Sequence, residues 1–180
     1  MSEFALSADT RRLRLGREVA LESGAVLPEL EVAFRTWGRL SPAADNAVVV
    51  CHALTGSADA DAWWAPLFGP GRALDPERDF IVCANVLGGC YGSSGPTSEA
   101  PDGRAYGARF PRISIRDQVQ AQIRLLDALG VRGTPGFFIN GAVVLLMLVS
   151  LAMRRPLVGV LVGVLTSDED WRRDRAKFRV

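Results

Sequence analysis

Two short runs constrain the fold most: AVVVCH at 47–52 and FIVCANV at 80–86. Both are apolar almost throughout and rich in β-branched residues. A strand with this pattern buries both of its faces, as the central strands of a parallel sheet do. Each run passes directly into a loop of small residues, ALTGS at 53–57 and GGCYGSSGP at 88–96. Upstream, residues 30–37 (LEVAFRTW) alternate apolar with polar positions, the signature of a half-buried strand, and Ser41-Pro42 to Asn46 reads as the turn after it.

Residues 113–129 predict a helix. Ser114 and Asp117 form a capping-box pattern, and Ile115, Val119, Ile123, Leu126 and Leu129 recur at helical spacing. Gly130 stands where a left-handed residue ends a helix. Beyond it come a short strand at 136–140 (GFFIN) and an apolar helix at 143–153, closed by Arg154-Arg155-Pro156. A buried strand follows at 157–165, then a last helix capped by Ser167 with Asp170 and running through Phe178. The cluster of Arg172, Arg173, Arg175, Lys177 and Arg179 reads as a solvated face rather than an anion patch. Alternation of strands and helices predicts an α/β domain with a mostly parallel sheet flanked by helices.

Composition narrows the chemistry. The 180 residues suffice for one domain with a substantial core, and a net charge of +1 lacks the basic excess of a general nucleic-acid binder. The one histidine, His52, excludes a multi-histidine metal site, and no metal is expected. His52 also comes too early to follow a serine and an acid in a triad of that order. The one lysine, Lys177, lies in the Arg-rich tail, so there is no phosphate-binding Walker loop. Cys51, Cys83 and Cys90 are odd in number and widely spaced, which fits buried or half-buried free thiols in a reducing compartment. The N-terminus carries no continuous apolar segment of the signal-peptide type, so a cytoplasmic location is expected.

In an open α/β sheet, ligands gather where strands end at their carboxyl ends, so the loops after His52 and Val86 are the candidate site. Small residues let backbone N–H groups approach a ligand, and two such groups can hold an oxyanion. Cys51 and His52 are adjacent on a strand and point to opposite faces, so they cannot form a dyad with each other. His52 reads as a histidine that shapes the loop.

The loops and their surroundings carry a resemblance. In order, the chain has His52-Ala53-Leu54-Thr55-Gly56, Trp63-Trp64, Asn85-Val86-Leu87-Gly88-Gly89-Cys90 and Gly95-Pro96. Tyr106-Gly107, Phe110-Pro111, Ile115-Arg116-Asp117 and Leu125-Leu126-Asp127-Ala128-Leu129-Gly130 complete the series. From about residue 21 to 131, and more weakly to 165, the chain resembles the homoserine O-acetyltransferases, α/β-hydrolase-fold enzymes of methionine biosynthesis. Leu54-Thr55-Gly56 is more like these than like their serine-succinylating relatives. The resemblance implies that the Leu54 amide belongs to the oxyanion hole and that Thr55, Gly56, Gly88 and Gly89 line the substrate pocket. It implies no bound cofactor, acetyl-CoA as co-substrate and L-homoserine as acceptor. A serine on a strand-to-helix elbow takes the acetyl group, with a downstream histidine and aspartate to activate it.

The elbow motif is not there. Counting back from Arg154-Arg155-Pro156 puts Ala142 at the nucleophile position, with Asn140, Gly141, Val144 and Leu145 in place of the flanking glycines. Ser150 lies too far along to serve, and the chain ends at Val180 before the segment that supplies the family's acid and histidine. The expectation is a truncated, catalytically incomplete relative: one α/β-hydrolase-like domain over 1–180, with 132–180 a diverged tail. The alternatives are a non-catalytic binding or interaction module prone to self-association through an open sheet edge, or a chain whose 142–165 segment meets a membrane. In that segment fourteen Leu and Val residues offset Arg154 and Arg155 to a sum near zero, so hydropathy leaves core and membrane open, and a core helix plus strand is preferred. Residues 133–141 (GTPGFFING) also resemble a thioredoxin-type proline loop, but no C-x-x-C precedes them.

Overall fold

The computed structural model describes residues 6–52, 56–132, 136–139, 142–144 and 162–163. Among these, strands β1 (Arg11–Ala20), β2 (Val26–Trp37), β3 (Ala47–Cys51), β4 (Phe80–Ala84), β5 (Gly136–Ile139), β6 (Ala142–Val144) and β7 (Val162–Gly163) form one sheet. Its order is β1-β2-β4-β3-β5-β6-β7.

The two apolar runs are β3 and β4. They lie side by side in parallel, with Val50 opposite Cys83, and β5 joins β3 in parallel on its other side. Burial on both faces is met residue by residue. Ala47, Val49, Phe80, Val82 and Ala84 enter one core with Leu30, Val32 and Phe34 of β2. Val48, Val50, Ile81 and Cys83 enter a second core on the opposite face.

The sheet is parallel only in this centre. β1 with β2, β2 with β4, β5 with β6 and β6 with β7 are all antiparallel. For the hairpins the cause is linker length. Five residues join β1 to β2, and two join β5 to β6. A parallel crossover needs a dozen or more. β1 is also a strand that the sequence pattern did not predict. Its RLRLG run alternates at the strand period, with Leu13, Leu15 and Val19 packed on the first core and arginines between them. Arg14 meets Glu29 at 2.7 Å across the pair.

Helix α2 (Ile115–Ala128) covers the first core. Its capping box is complete: Ser114 Oγ accepts from the Asp117 N–H at 3.2 Å, and Asp117 accepts from the Ser114 N–H at 2.8 Å. Gly130 follows with φ +82° and ends the helix in the left-handed region. The inward face is rotated from the predicted stripe. Ile115 is 75% exposed, while Asp117, Ala121, Leu125 and Leu126 are buried. The Asp117 carboxylate also accepts from the Glu22 N–H at 2.9 Å, and this second bond draws it inward. The opposite core is covered by α1 (Ala60–Trp63), a 3₁₀ turn at Ala65–Leu67 and the loop that carries Ala73 and Leu74.

The expected helix over 143–153 is corrected at its start. Residues 142–144 form β6, with Ala142 paired to Ile139 and Val143 to Phe138. That register leaves Asn140 and Gly141 between the strands, and Asn-Gly is the dipeptide that two-residue hairpins favour. The flanking Val143 and Val144 have high strand propensity. Of the buried strand expected at 157–165, Val162–Gly163 is β7, paired to β6. Residues 145–161, the helix expected at 167–178 and the basic cluster lie outside the described residues. No helix among the described residues is long and apolar enough to cross a membrane.

Candidate active site

Parallel pairing brings the carboxyl ends of β3, β4 and β5 to one edge. Cys51 lies opposite Ile139, so the carboxyl end of β5 stands beside that of β3. An α/β sheet places its ligand site at such an edge. Of the residues expected there, Gly56, Gly88 and Gly89 are described, whereas Leu54, Thr55 and the Asn140-Gly141 pair lie outside the described residues.

The loop after β4 is fastened to β2 by its own side chains. The Asn85 N–H donates to Ala33 O at 2.8 Å, and its side-chain amide donates to Tyr91 O at 2.7 Å. Ser93 Oγ donates to Asn85 O at 2.7 Å and accepts from the Ala33 N–H at 3.0 Å. Ser94 continues the seam, donating its N–H to Glu31 O at 2.9 Å and accepting through Oγ from the Glu31 N–H at 2.9 Å. Both serine hydroxyls therefore serve the loop's architecture.

The same folding decides what the glycines can do. The Gly88 N–H donates to Ser94 O at 2.8 Å, and the Gly89 N–H donates to Val86 O at 3.3 Å. These two amides are engaged within the loop, so an oxyanion would have to draw its donors from elsewhere. Gly88 and Gly89 can shape a pocket wall, with Gly88 at φ +79°. Close packing continues to Gly95, where an added Cβ would lie 2.8 Å from Gly89 O.

Helix α2 reads the ends of both central strands. Gln118 accepts from the Leu87 N–H at 2.9 Å and donates to Leu87 O at 2.8 Å. One turn later, Gln122 Oε1 meets Cys51 Sγ at 4.0 Å. Burial pushes the Cys51 thiol up, with the Gln122 contact acting against it, and burial pushes the Cys83 thiol up still more. A thiol raised in this way is protonated at neutral pH and is a poor nucleophile. Cys90, expected to be at least half-buried, is instead exposed on the Gly-rich loop, whose small neighbours leave it uncovered.

On the opposite face, the stretch after Gly56 is held by Arg35 of β2, which meets Asp59 and Asp61. Burial acts to raise the Asp59 carboxyl, but hydrogen bonds from Ser57 and Ser7 and the Arg35 guanidinium together hold it below the usual carboxylate range. Among the described residues, no group of three or more His, Cys, Asp or Glu is placed to hold a metal ion. Arg35, Gln118 and Gln122 were not predicted from the sequence, although two signals were present. Arg35 is a charge in the inward row Ala33, Arg35, Trp37, and the glutamines stand four apart on one helix.

No family model matches the chain. The homoserine O-acetyltransferase of Nostoc punctiforme is 53% identical over 142 residues, covering 78% of this chain and 39% of that protein. That of Chlorobium chlorochromatii is 60% identical over 111 residues, covering 61% of this chain and 31% of its own length. The chain thus spans about a third of the length of the curated relatives it matches. Among solved structures, esterase E22 superposes with a TM-score of 0.65 at 26% identity, covering 72% of this chain and 40% of that one.

Proposed function

We propose that this chain, homologous over its N-terminal part to the homoserine O-acetyltransferases and built on the α/β-hydrolase fold, carries the oxyanion side of an acetyl-transfer site without a working nucleophile. In the complete reaction a serine hydroxyl attacks the acetyl-CoA thioester. The coenzyme A thiolate leaves and is protonated, and the acetyl ester then passes to the homoserine hydroxyl. The oxyanion formed at each attack needs donors aimed at it. Our reading gives that part to the Leu54 amide, with Thr55, Gly56, Gly88 and Gly89 around the substrate.

The observation that carries this reading is the path of the chain beyond β5. β5 pairs with β3 in parallel, and β6, which begins at Ala142, pairs with β5 in the antiparallel sense. An elbow requires a strand that turns sharply into a helix, so that the hydroxyl projects over the strand ends. Ala142 offers a methyl group, and no serine occurs between Ser114 and Ser150.

The test is covalent. After incubation with acetyl-CoA, the intact chain should show no acetyl ester by mass spectrometry. An acetylated serine or cysteine, formed at a rate set by native folding, would overturn the reading. Calorimetric titration with coenzyme A and with homoserine then separates a retained pocket from a bare scaffold. The odd number and wide spacing of Cys51, Cys83 and Cys90 are what supports a reducing, cytoplasmic setting.

One observation favours a second reading, a self-associating interaction module. Among the described residues β7 is the last strand in the sheet order, and an outer strand offers backbone groups to a second chain. Concentration-dependent association by light scattering supports this reading, and a clean monomer at high concentration removes it.

A further inference from the structure

Arg35 is a cation placed inside the molecule, with the residue 8% exposed. Its Nη1 donates to Asp59 Oδ1 at 2.8 Å and to Asp61 Oδ1 at 2.6 Å. Its Nη2 donates to Asp61 Oδ2 at 3.0 Å and to Asp9 Oδ2 at 3.3 Å. The guanidinium stacks over the Trp37 ring at 4.7 Å, and Trp37 Nε1 donates to Asp61 Oδ2 at 3.2 Å. One fork thus gathers carboxylates from the N-terminal segment and from the first turn of α1.

What those carboxylates hold cannot hold itself. α1 is four residues long, far below the length at which a helix persists unaided. Asp59 occupies its N-cap position, yet its side chain makes no cap bond. The carboxylate turns away to Arg35 and to Ser57 Oγ at 2.8 Å. Ser57 in turn has its carbonyl taken by Trp63 Nε1 at 3.1 Å, which closes the segment on itself. Its fixed point on the rigid sheet is Arg35, opposite Cys83 of β4.

We propose that Arg35 is a positioning residue: through Asp59 and Asp61 it fixes residues 56–64, the downstream anchor of the loop that leaves β3. The purpose assigned to that loop rests on the acetyl-transfer reading, but the anchoring does not. A two-pronged contact to Asp61 requires a planar guanidinium, and an ammonium reproduces at most one prong.

The experiment is amide hydrogen exchange on the full chain, read peptide by peptide. Arg35→Ala should speed exchange in residues 56–64 by about tenfold or more, with α2 and the β3–β4 pair unchanged. Arg35→Lys should recover part of that loss. Asp61→Asn spares the cation and alters a partly exposed carboxylate; it should loosen the same peptide and decides the matter if Arg35→Ala does not fold. Unchanged exchange at 56–64 in the folded variants overturns the proposal. So does acceleration spread evenly over α2 and the central strands, the mark of a merely global role. A chain that binds neither coenzyme A nor homoserine gives the same readout, so failure of the acetyl-transfer reading is seen separately.

Discussion

The Gln118 side chain occupies both backbone hydrogen bonds of Leu87, accepting from its N–H at 2.9 Å and donating to its C=O at 2.8 Å. A carboxamide used this way acts as one more strand residue, ending the ladder just past β4. It ties α2 to the start of the Gly-rich loop, while Gln122 on the same helix reaches the end of β3. The end of β3 and the start of the Gly-rich loop therefore contact a single helix.

Replacing Gln118 by Leu keeps the bulk and removes both bonds, leaving a buried backbone pair unsatisfied. The expected cost is about 1–3 kcal/mol in urea unfolding. Amide exchange at residues 87–89 should rise more than exchange in α2. A loss evenly shared with the helix would mean that Gln118 supports packing rather than the loop.

Glycine substitutions should separate strain from clash. At Gly38, φ is +75° and an added Cβ would fall 2.1 Å from Asp79 O and 2.5 Å from Pro76 O. At Gly24, φ is +81° with nothing within 4 Å. Gly24→Ala should cost about 1–2 kcal/mol, the left-handed penalty alone. Gly38→Ala adds the displacement of backbone atoms and should cost roughly 2–4 kcal/mol. Equal costs by thermal or urea unfolding would contradict the packing described around residues 76–79.

The parts legible in the sequence are those where local pattern and burial agree. AVVVC and FIVCA had to be doubly buried, and the Ser114–Asp117 box marked where α2 begins. β1 escaped notice because its arginines outweigh its leucines in any average, although the alternation was there. The antiparallel pairing of β5 with β6 was not expected, because the family resemblance assigns the residues after β5 to a strand-to-helix elbow. The roles of Arg35 and Gln118 were not legible for another reason, although a charge in an inward row and glutamines four apart marked the positions. Their partners lie 24 to 31 residues away, and only the folded register brings them together.

Stability should depend on acid pH through Asp117. Burial acts to raise its carboxyl, but the N–H groups of Ser114 and Glu22 hold it below the ordinary value. A carboxyl depressed in the folded state adds stability that is complete above the unfolded value of about 4 and fades as pH falls through the folded value. The urea midpoint should therefore drop as pH is lowered from about 5 toward 2. Asp117→Asn should lower stability at neutral pH and flatten that decline. An unchanged slope in the variant would assign the acid sensitivity to other carboxylates.

The cysteines should react in order of exposure. Cys90 is exposed, Cys51 half-buried and Cys83 buried, with burial raising the last two thiols. An aromatic disulfide reagent at neutral pH should modify Cys90 first and Cys83 only on unfolding, as mapped by peptide mass spectrometry. Early labelling of Cys83 would contradict the placement of β4 at the sheet centre.

The central claim is that the scaffold persists while the nucleophile is missing, and homoserine-dependent release of coenzyme A thiol from acetyl-CoA tests it most directly. The purified chain should release thiol at the protein-free rate. Ala142→Ser should do the same, because a serine in β6 stands on a strand paired antiparallel to β5 rather than on a strand-to-helix elbow. Sustained homoserine-dependent turnover by the unaltered chain, or a hundredfold gain in the variant, would contradict the account.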